Sequence, residues 1–559
     1  MVLVLLTAFA ARLVWIQGIR GEAVAQEALE KRLTSVSTLA VRGQITDANG
    51  DTLARSVERY TLAVDQTTIA TWSKKGTEPL LAGPAGAASL LAPLLDMNEA
   101  ELGALLTGDR TYKVVKKDLL PEQMRAIREL RIGGVQFERV AERVYPNGTV
   151  SGNLLGWVNS EGDGATGLEA MLDERLTGSP GKLVFEQGRK GQAIPGGYEE
   201  STDAVPGDSV QLTLLSDLQW KAEDAINAQV AATGADSGTV VVIDIRTGEV
   251  LALADSGSVD PNNPTSAARG SSAISDIFDP GSTAKVITMA AGIETGLVTP
   301  TTPFTVPYQY TTPNGQTFKD SHEHAGMQLT TTGILAQSSN TGTVMIGEQL
   351  PQQVRYDYLA KFGFGSKTGI ELPNESRGRL RDSADWDGRT KYAVLFGQGL
   401  SVTALQATEV FATIANDGMR VQPHIIKGWT SADGTFTPTI TPPATQVVSK
   451  ETADTVLTML ESAVDDGTGS AASIPGYRIA GKTGTAQVFE PAGIAASFIG
   501  VAPADEPRIA VSVVLHNPRT SEWGGTVAAP VFSEVTRYAL QELAVAPSGL
   551  PAALYATTW

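Results

Sequence analysis

The 559-residue sequence contains no cysteine, and this absence removes several kinds of chemistry at once. Disulfide frameworks, thiol nucleophiles and cysteine-ligated zinc sites are all excluded. The chain also lacks an excess of basic side chains, because 43 Lys and Arg stand against 61 Asp and Glu, for a formal net charge of −18. Such a balance disfavours nonspecific binding to a polyanion. Nucleic acid is therefore not expected as a partner.

A long apolar run is also missing at the start of the chain. Residues 1–19 are largely apolar, but only ten uncharged positions lie between Met1 and Arg12, whereas a membrane-spanning helix needs about 20 apolar residues. A cleaved signal peptide ending near Ala10 is the alternative, but its apolar run is too short and no positive flank precedes it. The charged, helix-favouring stretch 21–32 is typical of a stalk leaving a membrane. We therefore expect residues 1–19 to be a membrane anchor truncated at its N-terminus.

The length of the chain predicts two or more domains. Residues 20–206 mix short β-branched runs with many turn signals, which predicts an irregular, non-catalytic module. One amphipathic helix is predicted in it, at 121–130, and is interpreted as core. Residues 207–544 are interpreted as one α/β domain, and residues 545–559 as a short tail rich in proline and alanine.

The order of elements in the second domain indicates a sheet with helices packed on it. The nearly continuous apolar run 239–243 is typical of a central strand buried on both faces. This run belongs to a predicted pair of strands over 238–254 around a turn at 246–249. The other predicted elements are strands at 210–214, 477–480, 497–501 and 509–514, and a helix at 217–230.

Ser282 and Lys285 have the spacing of a nucleophile with a built-in base. The apolar pattern that follows Gly281 predicts that Ser282 lies at a helix N-terminus. Since residues three apart share a helix face, the Lys285 amine is expected beside the Ser282 hydroxyl. A lysine acts as a base only if its pKa is depressed, and burial together with a second cation such as Lys482 would achieve this.

Two further patterns follow in a fixed order. Ser338 and Asn340 come after the helix-like stretch 330–337, where a hydroxyl can relay a proton to a leaving amine and a carboxamide can bind a peptide group. Residues 482–485, Lys-Thr-Gly-Thr, follow one predicted strand and precede two others. Lys482 and the hydroxyls of Thr483 and Thr485 are therefore expected to line a sheet edge, where they suit a substrate carboxylate.

Each pattern also occurs a second time, so spacing alone does not identify a site. Pro180 and Gly181 inside the second S-x-x-K prevent the helix that would aim its lysine at its serine. The second copies are Ser179 to Lys182, Ser151 to Asn153 and Lys367 to Gly369. The stretch His322-Glu323-His324 lacks the helical spacing of a zinc motif and is interpreted as a solvated loop, so no metal site is expected.

Taken together, the three patterns resemble the S-x-x-K, S-x-N and K-T-G elements of the penicillin-recognising serine acyl-transferases. Further stretches resemble the class B, high-molecular-mass penicillin-binding proteins, and these stretches are 42–50, 143–146, 167–169, 397–399, 524–525 and 529–532. Within this class, the part from 145–148 to 167–169 looks most like the division-type (septal) enzymes of actinobacteria. The resemblance implies an α+β pedestal or dimerisation-type module and a transpeptidase domain in which an antiparallel sheet carries helices on both faces beside an all-helical part.

The resemblance also implies a function and a role for each residue. Ser282 would attack the penultimate D-Ala of a peptidoglycan stem peptide, with Lys285 as general base, and an acceptor amine would resolve the acyl-enzyme. The remaining site residues would be Ser338 for the leaving amine, Asn340 for the substrate amide, and Lys482, Thr483, Gly484 and Thr485 for the terminal carboxylate or its β-lactam mimic. The oxyanion would bind the backbone N–H groups of Ser282 and Thr485.

The same family resemblance implies location and partners. The expected location is the cell membrane, with a single-pass anchor and an extracytoplasmic catalytic domain. Lipid-linked peptidoglycan precursors, β-lactams, a polytopic glycan polymerase and division proteins are the expected partners, and no cofactor is expected. A β-lactamase is disfavoured by the long N-terminal module, while a D,D-carboxypeptidase and a non-catalytic β-lactam-binding sensor or scaffold stay as alternatives.

Overall fold

The computed structural model describes residues 1–74, 76, 80–188, 193–264, 270–489 and 492–559. At the start, helices α1 (Val2–Val14) and α2 (Gly21–Glu30) are joined by a π-helical turn, Trp15–Ile19. The side chains of α1 are all exposed. Within these described ranges, no helix combines the length and the apolar character needed to cross a membrane.

The N-terminal module is built on one long strand, β3, which pairs with three others. Its strands are β1 (Leu33–Thr38), β2 (Ile45–Thr46), β3 (Thr52–Val64), β4 (Ser73–Lys74), β5 (Leu81–Ala82), β6 (Lys113–Leu119), β7 (Val135–Val144), β8 (Gly181–Glu186) and β9 (Glu199–Thr202). Its helices are α3 (Gln66–Ala70), α4 (Gly83–Leu95), α5 (Glu99–Leu106), α6 (Pro121–Glu129), α7 (Gly152–Leu155), α8 (Gly167–Met171) and α9 (Asp173–Thr177). The predicted helix at 121–130 is α6, and its buried Met124 and Ile127 confirm that it packs inward.

A buried ion cluster joins three separate stretches of this module. Glu169 is fully buried and binds two guanidinium groups, with Oε2 2.7 Å from Arg42 Nε and Oε1 2.7 Å from Arg143 Nε. Arg42 also pairs with Asp173 at 2.6 Å, and Arg143 donates to the Gly43 carbonyl at 2.8 Å. Residues that carry the family resemblance in the sequence thus meet at one point in space.

The second module contains a five-stranded sheet and a larger set of helices. Its strands are β10 (Ser209–Leu212), β11 (Ser237–Asp244), β12 (Val250–Asp255), β13 (Pro303–Val306), β14 (Gln309–Thr311), β15 (Thr317–Lys319), β16 (Met327–Thr330), β17 (Met419–Arg420), β18 (Ile426–Thr430), β19 (Phe436–Pro438), β20 (Thr445–Gln446), β21 (Ala480–Phe489), β22 (Ala492–Ala502) and β23 (Ile509–His516). Its helices are α10 (Ser216–Thr233), α11 (Ser272–Ser275), α12 (Lys285–Glu294), α13 (Thr331–Ala336), α14 (Asn340–Gly347), α15 (Gln352–Lys361), α16 (Thr390–Ala393), α17 (Ala404–Ala415), α18 (Lys450–Asp465), α19 (Gly524–Val527) and α20 (Ala529–Glu542).

The five-stranded sheet has the order β12-β11-β23-β22-β21, and every pair in it is antiparallel. Successive side chains of β11 point to opposite faces of the sheet, and the two sets belong to different hydrophobic cores. Val240 and Val242 pack with α10 and α20, whereas Val241 and Ile243 pack with α12 and α17. This confirms the prediction of a central strand buried on both faces, as a sheet covered by helices on each side requires.

A second, seven-stranded sheet crosses from one module to the other. Its order is β19-β18-β10-β2-β3-β6, with β7 also paired to β3. Strand β10 pairs in parallel with β2 of the N-terminal module and antiparallel with β18 of the second. One hydrophobic core likewise includes residues of both modules, among them Ile45, Leu168 and Phe411.

Candidate active site

Ser282 lies in a tight turn that precedes α12. Residues Gly281–Ala284 form a 3₁₀ helix and the α-helix begins at Lys285, so the predicted helix start is present but its first turn is wound more tightly. In a 3₁₀ turn, residues three apart eclipse one another, so Ser282 and Lys285 lie on the same face of the turn. Gly281 has φ +54°, and a Cβ there would lie 2.8 Å from the Thr485 carbonyl oxygen. Only glycine fits this approach.

Lys285 is fully buried and points at the second motif. Its Nζ donates to the backbone carbonyl of Ser338 and lies 3.3 Å from Ser338 Oγ. Burial lowers the pKa of Lys285 to about 7, and the carboxylate of Asp320 opposes this shift. A large fraction of the amine is therefore neutral near pH 7, as a general base requires.

Ser338 occupies a strained backbone position at the end of α13. Its N–H donates to the Leu335 carbonyl at 3.1 Å and the Ser339 N–H donates to the Ile334 carbonyl at 3.0 Å, which is the hydrogen-bond pattern of a Schellman cap. The capping residue of this motif is usually glycine, but here it is a serine with φ +60°. A left-handed non-glycine residue costs about 1–2 kcal/mol, and such strain clusters at functional sites.

Asp320 organises the second motif, and sequence reasoning missed it. Its buried carboxylate accepts hydrogen bonds from the backbone N–H groups of Asn340 at 2.6 Å and Thr341 at 2.9 Å, and from Ser339 Oγ at 2.8 Å. A carboxylate is stabilised at the N-terminus of a helix such as α14. Asp320 lies 20 residues before Asn340, so no local pattern marks it.

The third motif lies inside β21, the edge strand of the five-stranded sheet. The prediction of a separate strand at 477–480 is wrong, since the strand begins at Ala480 and carries the Lys-Thr-Gly-Thr sequence within it. Its register pairs Lys482 with Ile499 and Gly484 with Ser497. The sheet edge predicted from the sequence is thus confirmed, although the motif follows a turn and not another strand.

Lys482 is fully buried, and among the described residues its amine has neutral groups as its partners at hydrogen-bond distance. Its Nζ is 3.1 Å from Thr483 Oγ1 and 3.2 Å from the Thr483 carbonyl oxygen. Burial holds the pKa of Lys482 well below its usual 10.5, and the nearby amine of Lys285 lowers it further. Thr483 Oγ1 also lies 2.8 Å from Thr468 Oγ1, and Thr485 Oγ1 accepts from the Gly524 N–H at 3.4 Å.

Glycines allow the first and third motifs to touch. A Cβ at Gly484 would lie 2.3 Å from Ser497 Oγ and 3.0 Å from Thr283 Cγ2, so β21 passes directly against the turn that carries Ser282. A Cβ at Gly397 would lie 2.2 Å from the Gly281 carbonyl oxygen, on another side of the same turn. The Gly281 N–H donates to the Gly397 carbonyl at 3.0 Å.

The second copies of the three patterns lie in other elements. Lys367 is exposed in the loop after α15, where the neighbouring Thr368 donates to Glu375 at 2.6 Å. The loop prediction is therefore confirmed. Ser179 pairs through its backbone with Val205 just before β8, and Ser151 lies directly before α7.

The histidine loop has specific contacts. His324 Nε2 lies 3.0 Å from Asp320 Oδ2, and the ring of His322 stacks 5.1 Å from that of Trp523. His322 and Glu323 are exposed, in agreement with a solvated loop, but His324 is partly buried. Over the residues that the structure describes, no group of three His, Asp or Glu side chains could hold a metal ion.

Comparisons with known proteins agree with this geometry. Residues 37–212 match the family described as "Penicillin-binding Protein dimerisation domain", and residues 238–537 match "Penicillin binding protein transpeptidase domain". The chain is 36% identical to penicillin-binding protein PbpB of Mycolicibacterium smegmatis, covering 97% of this chain and 88% of that protein. It is 32% identical to peptidoglycan D,D-transpeptidase FtsI of Escherichia coli, covering 98% and 92%.

Solved structures show the same architecture. A peptidoglycan synthetase from Bifidobacterium adolescentis has 37% identity and a TM-score of 0.77, covering 94% of this chain and 100% of that chain. Penicillin-binding protein 3 of Mycobacterium tuberculosis in complex with aztreonam has 32% identity and a TM-score of 0.71, covering 93% and 100%.

Proposed function

Because the chain belongs to the class B penicillin-binding proteins, we propose that it is a peptidoglycan D,D-transpeptidase. It cross-links stem peptides through a serine acyl-enzyme and is inhibited covalently by β-lactams. The observation that carries this proposal is the fully buried Lys285, whose lowered pKa and contact with Ser338 supply a base beside the Ser282 turn. The relatives named D,D-transpeptidase and the aztreonam complex support the same reaction.

The acylation half-reaction follows from the arrangement of the side chains. Ser282 Oγ attacks the carbonyl of the penultimate D-Ala while neutral Lys285 takes its proton. The backbone N–H groups of Ser282 and Thr485 stabilise the oxyanion. The contact between Lys285 Nζ and Ser338 Oγ gives the proton a route to the leaving amine of the terminal D-Ala.

Substrate binding and turnover involve the remaining site residues. Asn340 binds the substrate amide through its carboxamide. Lys482 and the hydroxyls of Thr483 and Thr485 bind the terminal carboxylate, and Gly484 keeps their strand close to the nucleophile. An amine of a second stem peptide then attacks the acyl-enzyme, which forms the cross-link and releases Ser282.

In this proposal the segments outside the active site anchor the protein in the membrane and bind its partner proteins. Residues 1–19, whose helix α1 exposes all its apolar side chains, anchor the protein in the cell membrane with the catalytic domain outside. Residues 20–206 act as a pedestal that docks a polytopic glycan polymerase and division proteins, residues 207–544 carry the reaction, and 545–559 form a tail. The resemblance in 145–169 supports a role in septal wall synthesis, and a fluorescent fusion at side walls instead of septa would contradict that role.

Labelling with a fluorescent penicillin tests the nucleophile. Parent protein should become covalently labelled, and Ser282→Ala should not. Ser179→Ala is the matched control, because it removes the serine of the second S-x-x-K and should label normally. Equal labelling of Ser282→Ala and parent would refute the assignment. Mass spectrometry of products from a D-Ala-D-Ala stem peptide and an amine acceptor then distinguishes cross-linking from hydrolysis alone.

A further inference from the structure

The last residues of the sequence lie against β16, the strand that precedes the helix ending at Ser338, and pair with it through one β-bridge. Thr558 forms an antiparallel bridge with Leu329 of β16. The Thr330 N–H donates to the Thr557 carbonyl at 3.1 Å, and Thr330 Oγ1 donates to the Ala556 carbonyl at 2.6 Å. These bonds fix the tail onto the end of β16.

The tail thereby contacts the N-terminus of α13. Thr330 is the N-cap of this helix, and its Oγ1 accepts a hydrogen bond from the Gly333 N–H at 3.1 Å. A Cβ at Gly333 would lie 1.9 Å from the Thr557 carbonyl oxygen, so the tail lies directly on the first turn of the helix. Since α13 spans only Thr331–Ala336, its start lies within about two helical turns of its end at Ser338, so we expect a displacement of one end to be passed to the other.

A second contact links the tail to the third motif. Thr557 Oγ1 donates to Asp466 Oδ2 at 3.1 Å, and the Asp466 carbonyl accepts from Gln337 Nε2 at 3.2 Å. Two residues on, Thr468 N–H donates to the Ala336 carbonyl at 3.4 Å, and its hydroxyl lies 2.8 Å from Thr483 Oγ1. The loop held by Thr557 therefore bridges the end of α13 and the strand that carries Lys482.

Trp559 fastens the far end of the segment. Its Nε1 donates to the Phe304 carbonyl at 3.1 Å, and Phe304 belongs to β13, the strand that pairs with β16. The indole is still 56% exposed, so this side chain contributes a directional hydrogen bond more than a buried core. Besides its contacts with Leu329 and Thr330, the segment is thus attached to Asp466 through Thr557 and to Phe304 through Trp559.

We propose that residues 555–559 form a positioning strap that sets the distance between Ser338 and the strand of Lys482 and so controls the rate of acylation. The strap touches no reacting atom and acts through Thr330 and Asp466. The proposal rests on the proposed function, because it assumes that Ser338 and Thr483 take part in acylation. A misplacement of catalytic groups by about 1 Å costs up to about 100-fold in rate, and we expect loss of the strap to slow acylation about tenfold.

The test compares the full chain with a chain that ends at Leu554. The first-order rate of acylation by a fluorescent penicillin should fall about tenfold. Adding the synthetic peptide Leu-Tyr-Ala-Thr-Thr-Trp, the sequence of residues 554–559, should restore the rate, whereas a peptide of the same composition in scrambled order should not. Leu550→Ala is the control within the tail, since this side chain is 76% exposed, and its rate should equal that of the parent.

Each outcome decides the proposal. An unchanged rate in the shortened chain overturns it, and so does a lowered rate that the peptide does not restore, because that indicates a merely structural role. If the shortened chain does not fold, the Thr557→Val variant is measured in its place, because this substitution removes only the hydroxyl that binds Asp466. An acylation rate of Thr557→Val equal to that of the parent then overturns the proposal. Failure of the parent itself to acylate would contradict the proposed function instead.

Discussion

Acylation by this protein should follow the ionisation of Lys285. With a pKa of about 7, the neutral fraction of its amine rises from about a tenth at pH 6 to about nine tenths at pH 8. The acylation rate should therefore rise about tenfold over this interval and then level off, because a general base acts only in its neutral form.

A lysine with the ordinary pKa of 10.5 gives a different curve. Its neutral fraction would rise about a hundredfold between pH 6 and pH 8 and would not level off in that range. The two cases therefore differ about tenfold in the ratio of rates at pH 8 and pH 6. This difference is large enough to measure without knowing the absolute rate.

The assay is stopped-flow acylation with a fluorescent penicillin at a series of pH values and constant ionic strength. Lys285→Arg is the matched variant, because arginine keeps a positive charge but cannot act as a base, and it should lose the pH dependence together with at least about 100-fold in rate. Lys367→Ala removes the exposed lysine of the second K-T-G and should leave the curve unchanged. A hundredfold rise without a plateau would refute the assignment of Lys285 as a buried, neutral base.

Other substitutions test the geometry around the site. In urea denaturation, the free energy of unfolding of Ser338→Gly should exceed that of Ser338→Ala by about 1 kcal/mol, because glycine relieves the left-handed strain. Equal free energies of unfolding would contradict the strain. Asp320→Asn removes the charge that opposes the shift of Lys285, so the pH midpoint of acylation should move lower, and a higher midpoint would be inconsistent with the carboxylate's role. Gly484→Ala should slow acylation by up to about 100-fold by displacing β21. Glu169→Ala should cost about 3–5 kcal/mol in urea denaturation because two buried guanidinium groups lose their partner, whereas Lys31→Ala at an exposed pair should cost less than about 1 kcal/mol.

Local patterns in the sequence predicted the elements that depend on short-range signals. The apolar run 239–243, the helix at 121–130 and the sheet edge at Lys482 follow from periodicity and turn residues, and each is confirmed. Burial of Lys285 was expected from the chemistry that a base needs. Lys482 was expected to lower the pKa of Lys285. In the structure, burial lowers the pKa of Lys285, and it is Lys285 that lowers the pKa of Lys482.

Features that arise from distant parts of the chain could not be predicted in this way. Asp320 reaches the start of α14 from 20 residues upstream, and Thr557 reaches Thr330 across 227 positions. Neither contact leaves a periodic trace in the sequence. The positive φ of Ser338 is equally hidden, because the usual signal for this conformation is a glycine, and the sequence has serine there.

The sheet shared by β2 and β10 has a consequence for preparing the modules separately. A fragment that begins at residue 207 would retain β10 and β18 but lose β2, leaving the hydrogen-bonding groups along one side of β10 open to solvent. Unpaired strand edges pair readily with other chains, and apolar side chains that pack on Ile45 and Leu168 would be uncovered as well. Such a fragment should self-associate in solution, so the smallest soluble catalytic unit includes the N-terminal module.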